Sequence, residues 1–332
     1  KAFYGEAPRG EPLDVTRLKG ISSYEPSELV VTARAGTPCA ELEAEIAKCG
    51  QCLPFEPPRF APGGTVGGMV AAGLSGPARP CVGSLRDFVM GVSLLDGRGD
   101  LLQFGGQVMK NVAGYDVSRL LAGSWGVLGV ILEVSLKVVG IARTTATLCF
   151  DCTEPDALSM LQGWASRPLP LRASCWYERR LHLRLEGAES AVRAAQRSLG
   201  GATLASEAAA LWWRSVRDHG HDFFRLSDAE LAAGTRLWRL SVPAITAPLD
   251  LPGPQFIEWG GAQRWWRGSA PADLVRGSAA RAGGHANLVR AADKSPGAFA
   301  RPSEALMQIH RRMKQAFDPQ RLFNPGRLYA DL

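Results

Sequence analysis

Apolar and polar positions largely alternate along Val130-Ile131-Leu132-Glu133-Val134-Ser135-Leu136-Lys137-Val138, which predicts a half-buried strand. The β-branched run Leu29 to Ala33 predicts another. Phe88 to Leu95 reads as a buried strand, and Asp96-Gly97 begins a turn into Leu101 to Phe104, a hairpin. Between these segments the period changes. Cys39, Leu42, Ile46 and Cys49 recur at helical spacing behind Thr37-Pro38, a capped helix start, and Gly50 ends the helix.

After about residue 141 the texture shifts, and eight of the nine tryptophans lie beyond it. Strands are predicted at Thr144 to Phe150, Arg172 to Tyr177, Leu181 to Leu185, Leu237 to Val242, Phe256 to Trp259, Arg264 to Trp266 and Ala286 to Val289. Helices fall at Pro155 to Ser166, Ser190 to Leu199, Glu207 to Arg217 and Pro271 to Ala282. The mixture predicts an antiparallel sheet covered by helices on one face. A last helix starts at Pro302-Ser303 with Leu306, Ile309, Met313 and Phe317 as its apolar stripe, and Asp318-Pro319 stops it. The chain therefore reads as α+β, divided into residues 1–140, 141–302 and 303–332.

The strongest chemical signal is the uncharged block Pro62-Gly63-Gly64-Thr65-Val66-Gly67-Gly68-Met69-Val70-Ala71-Ala72-Gly73-Leu74-Ser75-Gly76. Such a block meets a ligand with backbone alone, and repeated glycines let amides converge on an anion, so a diphosphate-bearing cofactor is the first expectation. A glycine-rich surface loop is the alternative. The block fits neither the P-loop nor the Gly-x-Gly-x-x-Gly fingerprint. A second cluster, Gly123-Ser124-Trp125-Gly126-Val127-Leu128-Gly129, runs straight into a strand and predicts a loop-to-strand cofactor contact.

With Gly83-Ser84-Leu85-Arg86-Asp87-Phe88-Val89, Gly105-Gly106-Gln107-Val108-Met109-Lys110-Asn111-Val112-Ala113-Gly114-Tyr115-Asp116 and the ending Phe317 to Arg327, these motifs resemble the vanillyl-alcohol-oxidase, or PCMH-type, FAD-binding family. Within it the chain is similar to the FAD-binding E subunits of bacterial glycolate oxidases. The resemblance implies a PCMH-type FAD-binding domain, an antiparallel-sheet cap on the substrate side, and a C-terminal helix and turn returning to the first domain. It implies FAD held by Pro62, Gly64, Thr65, Gly67, Gly68 and Gly73, with Gly83 and Ser84 close by. Gly126, Gly129 and Ile131 would offer backbone to the rings, and Asn324 and Arg327 would lie beside the flavin. The family's first domain opens with a strand, a helix and a second strand. Lys1-Ala2-Phe3-Tyr4-Gly5 reads as the tail of the loop that follows, so that opening unit is expected to be missing here. The resemblance further implies a complex with a paralogous FAD-binding catalytic subunit and an iron–sulfur subunit.

Length and composition agree with two domains of ordinary globular protein: 332 residues, 46% hydrophobic and 21% charged. The net charge of +6 comes from scattered arginines, which gives nucleic-acid binding little support. No apolar stretch reaches a membrane span, and the default location is cytoplasmic, with peripheral association at the inner membrane through the complex. Seven cysteines, among them Cys49/Cys52 and Cys149/Cys152, read as reduced thiols and not as zinc ligands. Asp218-His219-Gly220-His221-Asp222 has metal-like spacing but reads as a solvated loop, so no metal is expected.

The catalytic members of the family carry a histidine-rich set in the cap. This chain has Glu258 to Trp266 and Gly283-Gly284-His285-Ala286 where that set would lie. The expectation is a subunit that holds FAD and supports glycolate oxidation to glyoxylate without a complete alcohol-oxidising site. Two alternatives stay open: a stand-alone FAD-dependent 2-hydroxy-acid dehydrogenase with Lys110, Arg264 or His285 at the substrate, and a flavin-free scaffold.

Overall fold

A computed structural model describes residues 3–106 and 116–332. Lys110 and most of the Gly105 to Asp116 motif lie outside the described residues. The chain divides into two compact units: residues 1–75, 83–141 and 301–332 form the first, and 76–82 and 142–300 the second.

In the first unit a five-stranded antiparallel sheet runs Ile21–Glu25, Val30–Arg34, Val130–Lys137, Val89–Leu95, Leu101–Gly105. The helix Cys39–Lys48 buries Cys39, Leu42 and Ile46, the positions its periodicity marks, while Cys49 falls outside it and is exposed. Gly50 follows at φ 67°, where a side chain would be strained. The glycine block departs from a pure loop. Val66–Ala72 is a helix, with Thr65 Oγ1 accepting from the Gly68 amide as its N-cap and Gly73 ending it at φ 62°. Val66, Met69 and Val70 supply a buried face that lets a glycine-rich segment stay helical despite the backbone entropy its glycines cost.

The C-terminal helix Glu304–Phe317 also departs from its predicted stripe. Leu306 and Ile309 are each 51% exposed, and the buried residues are Met307 and Lys314. The reason is a charge. Lys314 Nζ donates to Val127 O at 2.7 Å, Asp318 Oδ2 at 2.6 Å and Phe323 O at 2.7 Å, so all three of its donors are used. Asp318, fully buried, also accepts from the Leu322 and Phe323 amides at 2.9 and 2.8 Å.

The second unit is an eight-stranded antiparallel sheet in the order Ala202–Leu204, Thr144–Asp151, Arg180–Gly187, Leu171–Tyr177, Gln255–Glu258, Gln263–Gly268, Arg236–Ser241, His285–Arg290. Leu181, Leu183 and Leu185 alternate onto one face under the helices Glu154–Ala165 and Glu189–Leu199. Leu240, Trp266 and Leu288 pack there under Ala272–Arg281. The helix Ser206–Arg217 breaks the one-face expectation. Trp213 Nε1 donates to Thr147 Oγ1 at 2.9 Å, and Thr147 alternates with the helix-covered Leu148. His182, one position from Leu181, stacks on Trp212 with ring centroids 3.9 Å apart. Residues 76–82 also fold with this unit, although their position in the sequence places them inside the first domain.

Removing one partner of the Lys314–Asp318 pair leaves an uncompensated buried charge, a cost of about 3–5 kcal/mol. Burial alone would raise the Asp318 carboxyl, but the hydrogen bonds from Lys314 and the Phe323 and Leu322 amides outweigh it and hold the group below its ordinary value. A lowered folded-state value means that the stability is present above the ordinary carboxylate range and is lost as pH falls through the folded value. Lys314→Met should lower the chemical-denaturation midpoint at neutral pH strongly, and the gap from wild type should narrow below about pH 4.

Candidate functional site

Three distant stretches of sequence meet in the first unit. The glycine block is stitched to the end of the Val30–Arg34 strand by Val66 N to Thr37 O at 2.9 Å, Gly67 N to Ala35 O at 2.8 Å and Cys39 N to Gly64 O at 2.8 Å. The loop at 123–126 docks on the end of the glycine helix through Gly123 N to Val70 O at 3.0 Å and Trp125 N to Ala71 O at 2.8 Å. The C-terminal turn closes the set: Asn324 Nδ2 donates to Trp125 O at 2.7 Å.

The glycines sort into two groups. A Cβ on Gly67 would come within 2.6 Å of Ala35 Cβ, one on Gly73 within 2.6 Å of Gly123 N, and one on Gly129 within 2.6 Å of Leu95 O. These three exist for chain-on-chain approach. Pro62, Gly63, Gly64 and Gly68 are exposed; a Cβ on Gly63 or Gly64 meets nothing within 4 Å, and one on Gly68 meets only Thr65 Oγ1, at 3.2 Å. Exposed, uncharged backbone at 62–64 and 68 leaves room for the approach of a diphosphate, with Gly63 and Gly64 as the amide donors, since Pro62 has no N–H and the Gly68 amide is given to Thr65 Oγ1. Thr65 already uses its hydroxyl as the helix cap.

Other predicted contacts have structural partners. Ser84 forms a capping box with Asp87, its amide and hydroxyl reaching Asp87 Oδ2 at 2.8 and 2.7 Å, and Gly83 leads into it at φ 101°. Ile131 is 6% exposed and sits in the sheet beside Leu94. Gly126, at φ 71°, faces the Asn324 amide, 2.7 Å from where a Cβ would stand. Arg327 is buried, donates to Tyr4 O at 2.7 Å and lies 5.1 Å over the Trp125 ring. Asn324 and Arg327 thus hold the Trp125–Gly126 turn, which sequence reasoning placed against the flavin.

In the second unit Arg264 is fully buried. Its Nε donates to Gly261 O at 2.6 Å, Nη2 to Thr246 O at 2.8 Å, and Nη1 pairs with Glu154 at 3.3 Å. This occupancy takes it out of substrate chemistry. His285 lies in the sheet beside Ser241 with much of its side chain in solvent; partial desolvation of the ring first, then the Arg239 charge, holds it below its ordinary value of 6.5. The Asp218 to Asp222 cluster is only partly the solvated loop expected: Asp222 is exposed, but His219 stacks on Phe224 at 4.4 Å and meets Trp265 edge-on at 4.6 Å. Among the described residues no group of three His, Cys, Asp or Glu can hold a metal. Burial raises the Cys149, Cys152 and Cys175 thiols above their ordinary value.

Sequence reasoning missed Lys314 and Arg79, and it read Asp318 only as a helix stop; the i,i+4 spacing of Lys314 and Asp318 is the signal that could have found the pair.

The FAD binding domain family matches residues 2–105. The chain is 46% identical over its whole length to the glycolate oxidase subunit GlcE of Escherichia coli (strain K12), of which it covers 91%. It is 31% identical over 46% of its length to a mitochondrial D-lactate dehydrogenase [cytochrome] of Arabidopsis thaliana, covering 26% of that protein. Identity to the glycolate oxidase subunit GlcD of Bacillus subtilis (strain 168) is 30% over 40% of the chain and 28% of the relative. An alkyldihydroxyacetonephosphate synthase structure shares the fold at TM-score 0.66 and 15% identity, over 96% of this chain and 68% of that one.

Two predictions follow from this geometry. Gly67→Val should lower the melting temperature, since overpacking against Ala35 costs about 1–3 kcal/mol or more, whereas Gly68→Ala should leave it within a few degrees. Burial, with Arg290 and Arg239 nearby, pushes His219 down to about 3; burial, with Arg180 and His221, pushes His182 down to about 4. The unfolded chain takes those protons near 6.5, so stability should be full above that pH and fall as pH drops from 6.5 toward 4. Melting curves across this range should show the slope, and His182→Gln should flatten it.

Proposed function

This chain belongs to the family of the glycolate oxidase subunit GlcE, and we propose that it is an FAD-binding subunit of a glycolate oxidase complex, supporting oxidation of the 2-hydroxy acid glycolate to glyoxylate. The observation that carries this reading is that the identity to GlcE spans the entire chain, the second unit included. We assign the flavin to the first unit and the substrate side to the second.

When bound, FAD supplies a two-electron acceptor for an alcohol carbon. The residues of this chain supply its seat. Exposed backbone at Pro62 to Gly64 and at Gly68 would receive the diphosphate, and the Trp125–Gly126 turn, fixed by Asn324 and Arg327, would offer backbone to the rings. Arg327, lying on Trp125, would place a positive charge near that turn, where it would favour negative charge on a reduced flavin.

The partners we propose are a paralogous FAD-binding catalytic subunit and an iron–sulfur subunit. Two observations support them. Arg264, one of the candidate substrate contacts, is consumed internally, and none of the seven cysteines stands in ferredoxin spacing to carry electrons onward. Among the described residues no helix is long and apolar enough to cross a membrane. The proposed place of action is the cytoplasm, at the inner membrane surface through the complex.

The visible spectrum of the purified protein should show a flavin band. Gly68→Val should lose that band while retaining the wild-type fold by circular dichroism. Co-expression with the two partners should give an assembly that oxidises glycolate, and the isolated subunit should be inactive. A flavin-free assembly with full activity would support the scaffold reading, and turnover by the isolated subunit at the rate of the complex would support the stand-alone dehydrogenase.

A further inference from the structure

One aromatic side chain in the first unit stands where glycine would be easier to place. Trp125 is the only tryptophan of that unit; the other eight all lie beyond residue 141. Its backbone is at φ 54°, in the left-handed region. Gly123 and Gly126, on either side, are at 84° and 71°, a conformation glycine adopts without a Cβ clash. The turn therefore takes three left-handed positions in four residues, two filled by glycine and the third by the bulkiest of side chains.

A bulky residue persists in that region only where its surroundings over-determine it. Here they come from three distant stretches of chain. The Trp125 amide donates to Ala71 O at 2.8 Å, and the Trp125 carbonyl accepts from Asn324 Nδ2 at 2.7 Å. Tyr4, 2% exposed, meets the indole at an interplanar angle of 85° with centroids 5.3 Å apart, and the Arg327 guanidinium lies 5.1 Å over the ring. Arg327 is tied in turn to the Tyr4 carbonyl at 2.7 Å, and its own carbonyl accepts from the Glu6 amide at 3.3 Å. Phe3, next to Tyr4, meets Phe60 with centroids 5.0 Å apart, two residues before Pro62. The contacts that orient the indole thus continue to the start of the exposed backbone at 62–64.

Packing alone does not select tryptophan at this position. A glycine would keep both backbone hydrogen bonds and remove the strain. Nor is the ring sealed: Trp125 is half-buried, so the contacts with Tyr4 and Arg327 leave part of the indole open. A rigidly oriented, partly open indole is a stacking surface for a flat ring system. FAD has two such rings, the isoalloxazine and the adenine.

We propose that Trp125 is a ligand-contacting residue whose indole stacks on a planar ring of bound FAD, with Tyr4 and Arg327 as the positioning residues that hold it for that contact. This role rests on the assignment of the flavin to the first unit, and it adds a side chain to a seat otherwise built of backbone.

The test is titration of the intact chain, stripped of flavin, with FAD, FMN and ADP, reading affinity and flavin emission. Trp125→Leu keeps a bulky apolar group at the same backbone conformation and removes the aromatic ring. It should weaken FAD binding about tenfold or more, the scale of ring stacking on an aromatic side chain. Trp125→Phe should keep most of the wild-type affinity, and the two flavin-free variants should melt within a few degrees of each other. If the stacked ring is the isoalloxazine, Trp125→Leu weakens FMN and spares ADP, and bound FAD brightens in Trp125→Phe because contact with the indole quenches flavin emission. If it is the adenine, Trp125→Leu weakens ADP and spares FMN. Unchanged FAD affinity in Trp125→Leu, or equal weakening in Trp125→Leu and Trp125→Phe, overturns the role. Hydroxyl-radical footprinting of the wild-type protein needs no variant: saturating FAD should protect Trp125 from oxidation, and undiminished oxidation overturns the role as well. A wild-type chain that binds no FAD fails the flavin seat and this role together, whereas FAD binding that ignores the ring at 125 fails this role alone.

Discussion

A single ammonium group organises the first unit. Lys314 Nζ sits among the carbonyl of Val127, the carboxylate of Asp318 and the carbonyl of Phe323, and it is 2% exposed. A cation so deeply buried survives only when every donor is satisfied. The consequences extend outward. Phe323 is fixed, so Asn324 reaches Trp125; Val127 is fixed, so the loop on the glycine helix keeps its shape. Gly97 lies against Asp318 so closely that a Cβ there would come within 2.7 Å of its Cα, and the Gly97 amide donates to Phe317 O. The hairpin turn, the C-terminal helix and the turn beside the proposed flavin seat thus share one electrostatic anchor.

The same close packing divides the roles of the glycines. Glycine permits close approach, but the approaching body can be another stretch of the same chain. At Gly67, Gly73 and Gly129 it is Ala35, Gly123 and Leu95. At 62–64 and at 68 the backbone is exposed, and at Gly63 and Gly64 an added Cβ would meet nothing within 4 Å, so the absence of a side chain leaves room for something other than protein. A glycine-rich signature therefore combines positions of two kinds, and the physical distinction between them lies in burial.

Most of the fold was legible in the sequence, because period-two and helical patterns set the elements and both sheets use them plainly. Cys39, Leu42 and Ile46 pack as their spacing requires. Leu306 and Ile309 do not, since hydrophobic periodicity carries no information about a lysine with three buried oxygen partners. The helix Val66–Ala72 was hidden because its glycines read as loop, and its apolar face is short. The strand Ala202–Leu204 lies on the sheet edge and has too few residues to alternate visibly. At the site, the convergence of 62–73, 123–129 and 324–327 was legible through motif resemblance. The engagement of Arg264 and the stacking of Arg79 on Trp259 were not, because they depend on contacts between residues far apart in the chain.

The division of the chain carries one more consequence. The polypeptide passes between the two units at 75/76, 82/83, 141/142 and 300/301. The first unit is thus assembled from three separate lengths of chain, the last of which carries Lys314. During synthesis, the five-stranded sheet has all its strands by residue 137 but lacks its anchor until the ribosome has made the whole of the second unit. The turn carrying Asn324 and Arg327 thus joins the first unit only after the whole second unit has been made, so the Trp125–Gly126 loop waits for its partners longer than any strand of the sheet does.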